Sequence, residues 1–256
     1  MTALFPPVYV RYLGLTPYPR ALAIQNAILN ARIRHDKLWK DVNLLLLLQH
    51  PPTYTAGRRL KGTAGTEGNR LRALGAEYYE VMRGGQTTFH GPGQLVGYPM
   101  LDLRQYQLSV RSYVAALETT LVRICSLYGM KAHTTTDTGV WVNDRKIAAI
   151  GVHVSRHIAC HGFALNCNTD LSWYQHIVAC GIPDKATTSL SEELNRDQSV
   201  ENTMKHVSNA LGDVLRTRVV DKLPSIEHDV AWDKLTSYVI LSSTDKHCEV
   251  PISVNS

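Results

Sequence analysis

The longest unbroken aliphatic run in the chain is Leu44 to Leu48. Five residues are far too few to cross a bilayer, which takes about 20 in a helix. Strand composition from Leu44 to Gln49, closed off by Pro51-Pro52, makes the run a β-strand instead. No membrane span is expected. The chain has 256 residues and is 44% apolar, enough to bury a substantial core in one large domain or two small ones, so disorder is excluded for most of it. Five cysteines, an odd number without close regular spacing, do not make the disulfide framework of a secreted module and read as free thiols in a reducing compartment.

Around that strand the pattern alternates. Val8 to Leu13 has strand composition, and Ala21, Ile24, Ala27, Ile28 and Ala31 recur at helical spacing before the leucine run. Thr55 to Asn69, rich in Gly, Thr and positive charge, reads as a surface loop, and Tyr78 to Met82 as a strand. Val110, Val114, Leu117, Leu121, Ile124 and Tyr128 step by three and four with Gly129 as a stop, so the spacing predicts a helix over Ser109 to Tyr128. Gly139 to Val142, the turn residues Asn143-Asp144, and Lys146 to Val154 predict a hairpin, with His157 to Cys167 as a third strand beside it. A last helix is expected over Glu201 to Arg216. Strand clusters separated by long helices point to an α/β or α+β fold, a mixed sheet with helices against it.

Charge is unevenly spread. Residues 221–256 hold three Lys against six Asp and Glu, a balance of −3, so residues 1–220 carry +8 of the overall +5. The basic part favours an anionic partner. Nucleic acid is not expected, because no stacking aromatics are interleaved with Lys and Arg. The first 35 residues contain Arg11, Arg20, Arg32 and Arg34 and no acid, the bias of an organelle import segment, although they also read as the first strand and helix of the fold.

Three segments carry chemistry. Arg83 to Pro99 holds five glycines between Gly84 and Gly97, which let a backbone bend sharply and offer N–H groups to a ligand, or simply make a tight hairpin. It is neither a Walker A loop nor a dinucleotide fingerprint. Cys180 sits between the apolar Ile177-Val178-Ala179 and Gly181. A thiol of pKa ~8.5 is only about 3% thiolate at neutral pH unless a cation or base stands close. Lys146, at the start of the apolar stretch Ile147 to Val152, and His161 are the candidates. His153, His157 and His161 have the four-residue spacing of a metal site on a helix, but their neighbours favour strand, where they would stand ~13 Å apart. No metal site is expected.

Arg83 to Pro99, Thr138 to Val142, Lys146 to Val152, His161 to Asn166, Cys180-Gly181-Ile182 and Thr188-Ser189-Leu190 together, in this order, resemble the lipoyl(octanoyl) transferase family, octanoyl-acyl-carrier-protein:protein N-octanoyltransferases, over roughly residues 8–218. The resemblance implies a biotin/lipoate protein ligase-like catalytic domain over 1–220, a mixed β-sheet flanked by helices, followed by a C-terminal extension, partly ordered at most, over 221–256. It also implies that Cys180 is the nucleophile and Lys146 the lysine that lowers its pKa. The family's acyl-binding segments fall on Arg83, Gly84, Gly85, Gln86, Thr87, Thr88, Phe89 and His90, on Ala149, Ile150 and Gly151, and on Gly162, Phe163 and Ala164. The residue before the cysteine is often Pro in the family and is Ala179 here.

The implied reaction needs no cofactor, since the octanoyl group arrives as a substrate on the phosphopantetheine of acyl-carrier protein and a thioester is already activated. The implied acceptors are lipoyl domains of the glycine-cleavage H protein and of 2-oxoacid dehydrogenase E2 subunits. Backbone N–H groups near Gly84 to His90, or that of Cys180, are the expected oxyanion donors. Arg58, Arg59, Lys61, Arg70 and Arg72 are a candidate docking patch for acidic carrier and lipoyl domains. The leader and the divergent tail favour a mitochondrial enzyme over one of the bacterial cytoplasm. The nearest alternative is an ATP-dependent lipoate or biotin-type ligase of the same fold, which would not need Cys180. A papain-like hydrolase using Cys180 and His161 is a second.

Overall fold

The computed structural model describes residues 4–60, 64–178 and 186–242. In chain order it contains β1 (Val8–Leu15), α1 (Tyr18–Ile33), β2 (Asn43–Gln49), β3 (Thr53–Ala56), α2 (Asn69–Arg72), β4 (Glu77–Glu80), β5 (Thr88–His90), β6 (Gln94–Met100), α3 (Val110–Leu127), β7 (Ala132–His133), β8 (Val140–Val142), β9 (Arg145–Ser155), β10 (Ile158–Asn166), α4 (Leu190–Leu194), α5 (Val200–Leu215), β11 (Val219–Val220) and α6 (Ile226–Ser242).

Alternate leucines of β2 serve two cores, because successive side chains of a strand point to opposite faces. Leu45 and Leu47 pack with Leu117, Leu121 and Ile124 of α3 and Val207 and Leu211 of α5. Leu44, Leu46 and Leu48 pack with Ala21, Ile24 and Ile28 of α1 and Trp232 of α6. Both faces of one strand are thus covered, which gives the run its unbroken apolar character. The eight-stranded sheet runs β11-β1-β2-β6-β10-β9-β8-β7. β1 is parallel to β2 and β11, and its other pairings are antiparallel. The mixed sheet flanked by helices is as the sequence implied.

The long helix begins where Ser109 and Ser112 cap each other, the Ser109 hydroxyl accepting from the Ser112 N–H at 3.1 Å and the Ser112 hydroxyl from the Ser109 N–H at 2.8 Å. Sequence reading missed a second, three-stranded sheet, β4-β3-β5. The expected loop from Thr55 begins inside β3, whose four residues are too few to show a periodicity. Its core is Tyr54, Tyr78 and Phe89, with Leu71 of α2. The N-terminal arginines are built into the fold: buried Arg32 donates to the Met100 carbonyl at 2.6 Å and to Asn43 at 3.0 Å, and Arg11 pairs with Asp229 of α6.

Candidate active site

β9 outruns its neighbour. β8 pairs with it only through Arg145, Lys146 and Ala148, and beyond that point a cavity of about 490 Å³ opens along the strand. Lys146, Ala149, Ile150, Gly151 and Val152 of β9 line it, facing Gly162, Phe163 and Ala164 of β10. The register sets Gly151 against Gly162 and Ile150 against Phe163. Arg83, Gly84, Gly85, Gln86, Thr88 and His90 form another wall. The three segments that the resemblance implied therefore share one cavity with Lys146.

Thr87 and Phe89 do not line it. Thr88 and His90 of β5 face the cavity, so Phe89 between them points the other way, into the small-sheet core, where its ring stacks on Trp173 at 5.3 Å. Cys180 lies outside the described residues, as do Lys61 and the Arg59 side chain. Sequence reading also missed Tyr18 of α1, Tyr98 of β6, Val110 and Val114 of α3, and Thr136 to Thr138. The helical period of Val110 and Val114 was legible, but not that the first turn of α3 overhangs a cavity.

Lys146 is 7% exposed. Its Nζ donates to the Thr138 carbonyl at 3.1 Å and stands 4.7 Å from the centre of the Trp141 ring. Its backbone N–H donates to the Ala186 carbonyl and its carbonyl accepts from the Thr188 N–H, each at 2.9 Å. Ala186, six residues after Cys180 in the sequence, is thus bonded directly to Lys146.

The far end of the cavity is polar. The Arg83 guanidinium donates to Thr55 and, at 2.8 Å, to the Gly84 carbonyl. Because the Thr16 carbonyl can only accept, His50 carries its proton on Nδ1 (2.7 Å), and its Nε2 accepts from the Tyr98 hydroxyl at 2.8 Å. Burial pushes His50 down to about 4. Burial, then the Arg83 charge, pushes His161 down to about 3, and burial holds His90 well below the usual histidine range. All three are neutral at pH 7. His161 pairs in register with Val152, six residues from Lys146, or ~20 Å along an extended strand. The two candidate partners for a thiol therefore occupy opposite ends. Gly84 is also at the far end, and its N–H, one of the expected oxyanion donors, is donated to the Val152 carbonyl at 3.0 Å. Of the candidate docking patch, Arg58, Arg70 and Arg72 are all exposed, Arg70 pairing with Glu67 at 2.7 Å and Arg72 lying over the Tyr78 ring.

Residues 17–212 match the family model for the lipoyl protein ligase A/B catalytic domain. The chain is 50% identical, over 73% of its length and 82% of the relative's, to the zebrafish (Danio rerio) octanoyl-acyl-carrier-protein:protein N-octanoyltransferase LIPT2, mitochondrial. It is 46% identical to the Homo sapiens protein of the same name, over 78% of this chain and 89% of that one. Among solved structures it superposes on lipoate-protein ligase A bound with ATP, with a TM-score of 0.68 over 91% of this chain and 95% of that one. At 12% identity that last likeness is one of fold.

Proposed function

The chain belongs to the lipoyl(octanoyl) transferase family within the lipoyl protein ligase A/B catalytic domains, and from that premise we infer that it moves an octanoyl group from acyl-carrier protein, through a thioester on Cys180, to a lysine of lipoyl domains. The observation that supports this reading most directly is that Lys146 opens onto the same cavity as the three implied acyl-binding segments.

In the first half-reaction the Cys180 thiolate attacks the octanoyl thioester carbonyl. A carbon–sulfur bond to Cys180 forms as the bond to the phosphopantetheine sulfur breaks, and the departing thiolate takes its proton from the Lys146 ammonium, which is left as a neutral amine able to accept one in the second half. The Lys146 ammonium favours the attacking thiolate by its charge. In the second half the acceptor lysine attacks as a free amine, the Cys180 sulfur leaves, and the proton released by the amine passes to Lys146. Along β9, Ala149, Ile150 and Gly151, with Phe163 and Ala164 opposite, supply the apolar walls that keep the acyl chain and its thioester dry. The enzyme works in mitochondria, as its eukaryotic relatives are named, and the acceptors in this reading are the H protein and E2 lipoyl domains.

The test is transfer without nucleotide. Octanoyl-acyl-carrier protein and an unmodified lipoyl domain should give an octanoylated lipoyl lysine in the absence of ATP. A strict requirement for free octanoate and ATP would assign the chain to the ligases instead, and rapid release of octanoate without acceptor would make it a hydrolase.

A further inference from the structure

The turn before β8 is held from three sides. Glu118 of α3 accepts the Gly139 N–H at 3.0 Å. The Asp137 carbonyl accepts the Trp141 indole N–H at 3.2 Å. The Thr138 carbonyl accepts the Lys146 ammonium at 3.1 Å. Gly139 has φ +130° and sits so close that a Cβ there would meet the Ala148 carbonyl oxygen at 2.7 Å and Lys146 Cε at 3.3 Å, so the turn can press on the lysine only through a glycine.

We propose that Glu118 and Trp141 are positioning residues for Lys146. Glu118 anchors the turn whose carbonyl receives the ammonium, and Trp141 supplies the ring face that holds the same ammonium in place. This rests on the reading of Lys146 and Cys180 given above and extends it to two side chains outside the reacting pair. A hydrogen bond fixes the distance of the ammonium from the turn, and the ring face, 4.7 Å away, is a second fixed contact for the same charge. The other charged groups near it are accounted for. Arg145 is paired with Glu193 at 2.9 Å, Asp137 lines the cavity beside Lys146, and Arg83 belongs to the far end.

The readout is the pH dependence of iodoacetamide labelling at Cys180, followed by intact mass on the full-length protein, with Lys146→Ala as reference. Trp141→Leu and Glu118→Ala are expected to move the midpoint of labelling upward, in the direction of Lys146→Ala, by about 0.5–1 pH unit. Both should lower kcat for octanoyl transfer by about 3–10-fold with little change in KM. Trp141→Phe, which keeps a ring face, and Glu118→Gln, which keeps the acceptor oxygen, should restore most of the profile. If Lys146→Ala moves the midpoint and neither Trp141→Leu nor Glu118→Ala does, the positioning role is wrong while the thiol–lysine reading stands. If Glu118→Gln behaves like Glu118→Ala, Glu118 acts by charge and not by position, which also overturns the proposal. If Lys146→Ala itself leaves the profile unmoved, the underlying reading fails and takes the inference with it.

Discussion

Gln25 reaches from α1 into the sheet and accepts the backbone N–H of His161 at 2.8 Å, where β10 carries a non-glycine residue at φ +54°. Left-handed backbone inside a strand is costly for a residue with a Cβ. Both residues are buried, at 2% and 5% exposure, so the bond satisfies an amide that has no access to water. Gln25→Ala would leave that amide unpaired.

The expected cost is about 1–3 kcal/mol of folding stability. Urea unfolding should show a lower midpoint with an unchanged slope. An unaltered midpoint would mean that water or a neighbour replaces the amide oxygen at no loss.

Gly97 of β6 lies beneath the Phe163 ring, and a Cβ at that position would come within 2.2 Å of it. Phe163 is also a wall of the cavity. Gly97→Ala must therefore displace the ring, and its expected effect is a rise of about tenfold in KM for octanoyl thioesters, on the scale of a disturbed apolar pocket, with some loss of stability. Steady-state kinetics on octanoyl-acyl-carrier protein give the answer, and unchanged KM and stability would show that Phe163 is not held as described.

His50 and His161 are buried with values pushed down to about 4 and about 3, and His90 is lowered in the same direction. In the unfolded chain each titrates near 6.5. Above that pH both states are neutral and no stability is lost. As pH falls below 6.5 the unfolded chain takes up protons that the folded one refuses, so stability declines through the window from about 6.5 to 4, by up to ~1.4 kcal/mol per pH unit for each such histidine. Denaturation at pH 7.0, 5.5 and 4.5 should show this fall, and replacing His50 with a neutral side chain should flatten it. A stability that is level across the window would contradict the burial of these rings.

Much of this was legible in residue order because the signals were long. The helix α3 from Val110 to Leu127 is periodic over enough residues for its pattern to decide the element, and the turn residues Asn143-Asp144 mark the hairpin although β8 has only three residues. Thr53 to Ala56 is too short for that, and its sheet exists because distant Tyr78 and Phe89 complete its core. Glycines, Lys146 and the segments from Arg83, Ala149 and Gly162 could be named from the sequence. That Phe89 would point away from Thr88 and His90 required knowing that β5 is a strand. Tyr18 carried no local mark at all, and Tyr98, although inside the segment Arg83 to Pro99, was not distinguished from its neighbours, since only the packing of α1 and β6 against the far end of the cavity gives these two a place there.

In the proposed reaction octanoyl is held on Cys180 before an acceptor collects it. Mixing the protein with octanoyl-acyl-carrier protein and no acceptor, followed by intact-mass analysis, reads out that thioester. The expected result is a mass increase of one octanoyl group, mapped to Cys180, absent in Cys180→Ser and discharged on addition of a lipoyl domain. Acceptor lysines octanoylated at the normal rate by Cys180→Ser, with no acyl-enzyme at any time, would contradict it.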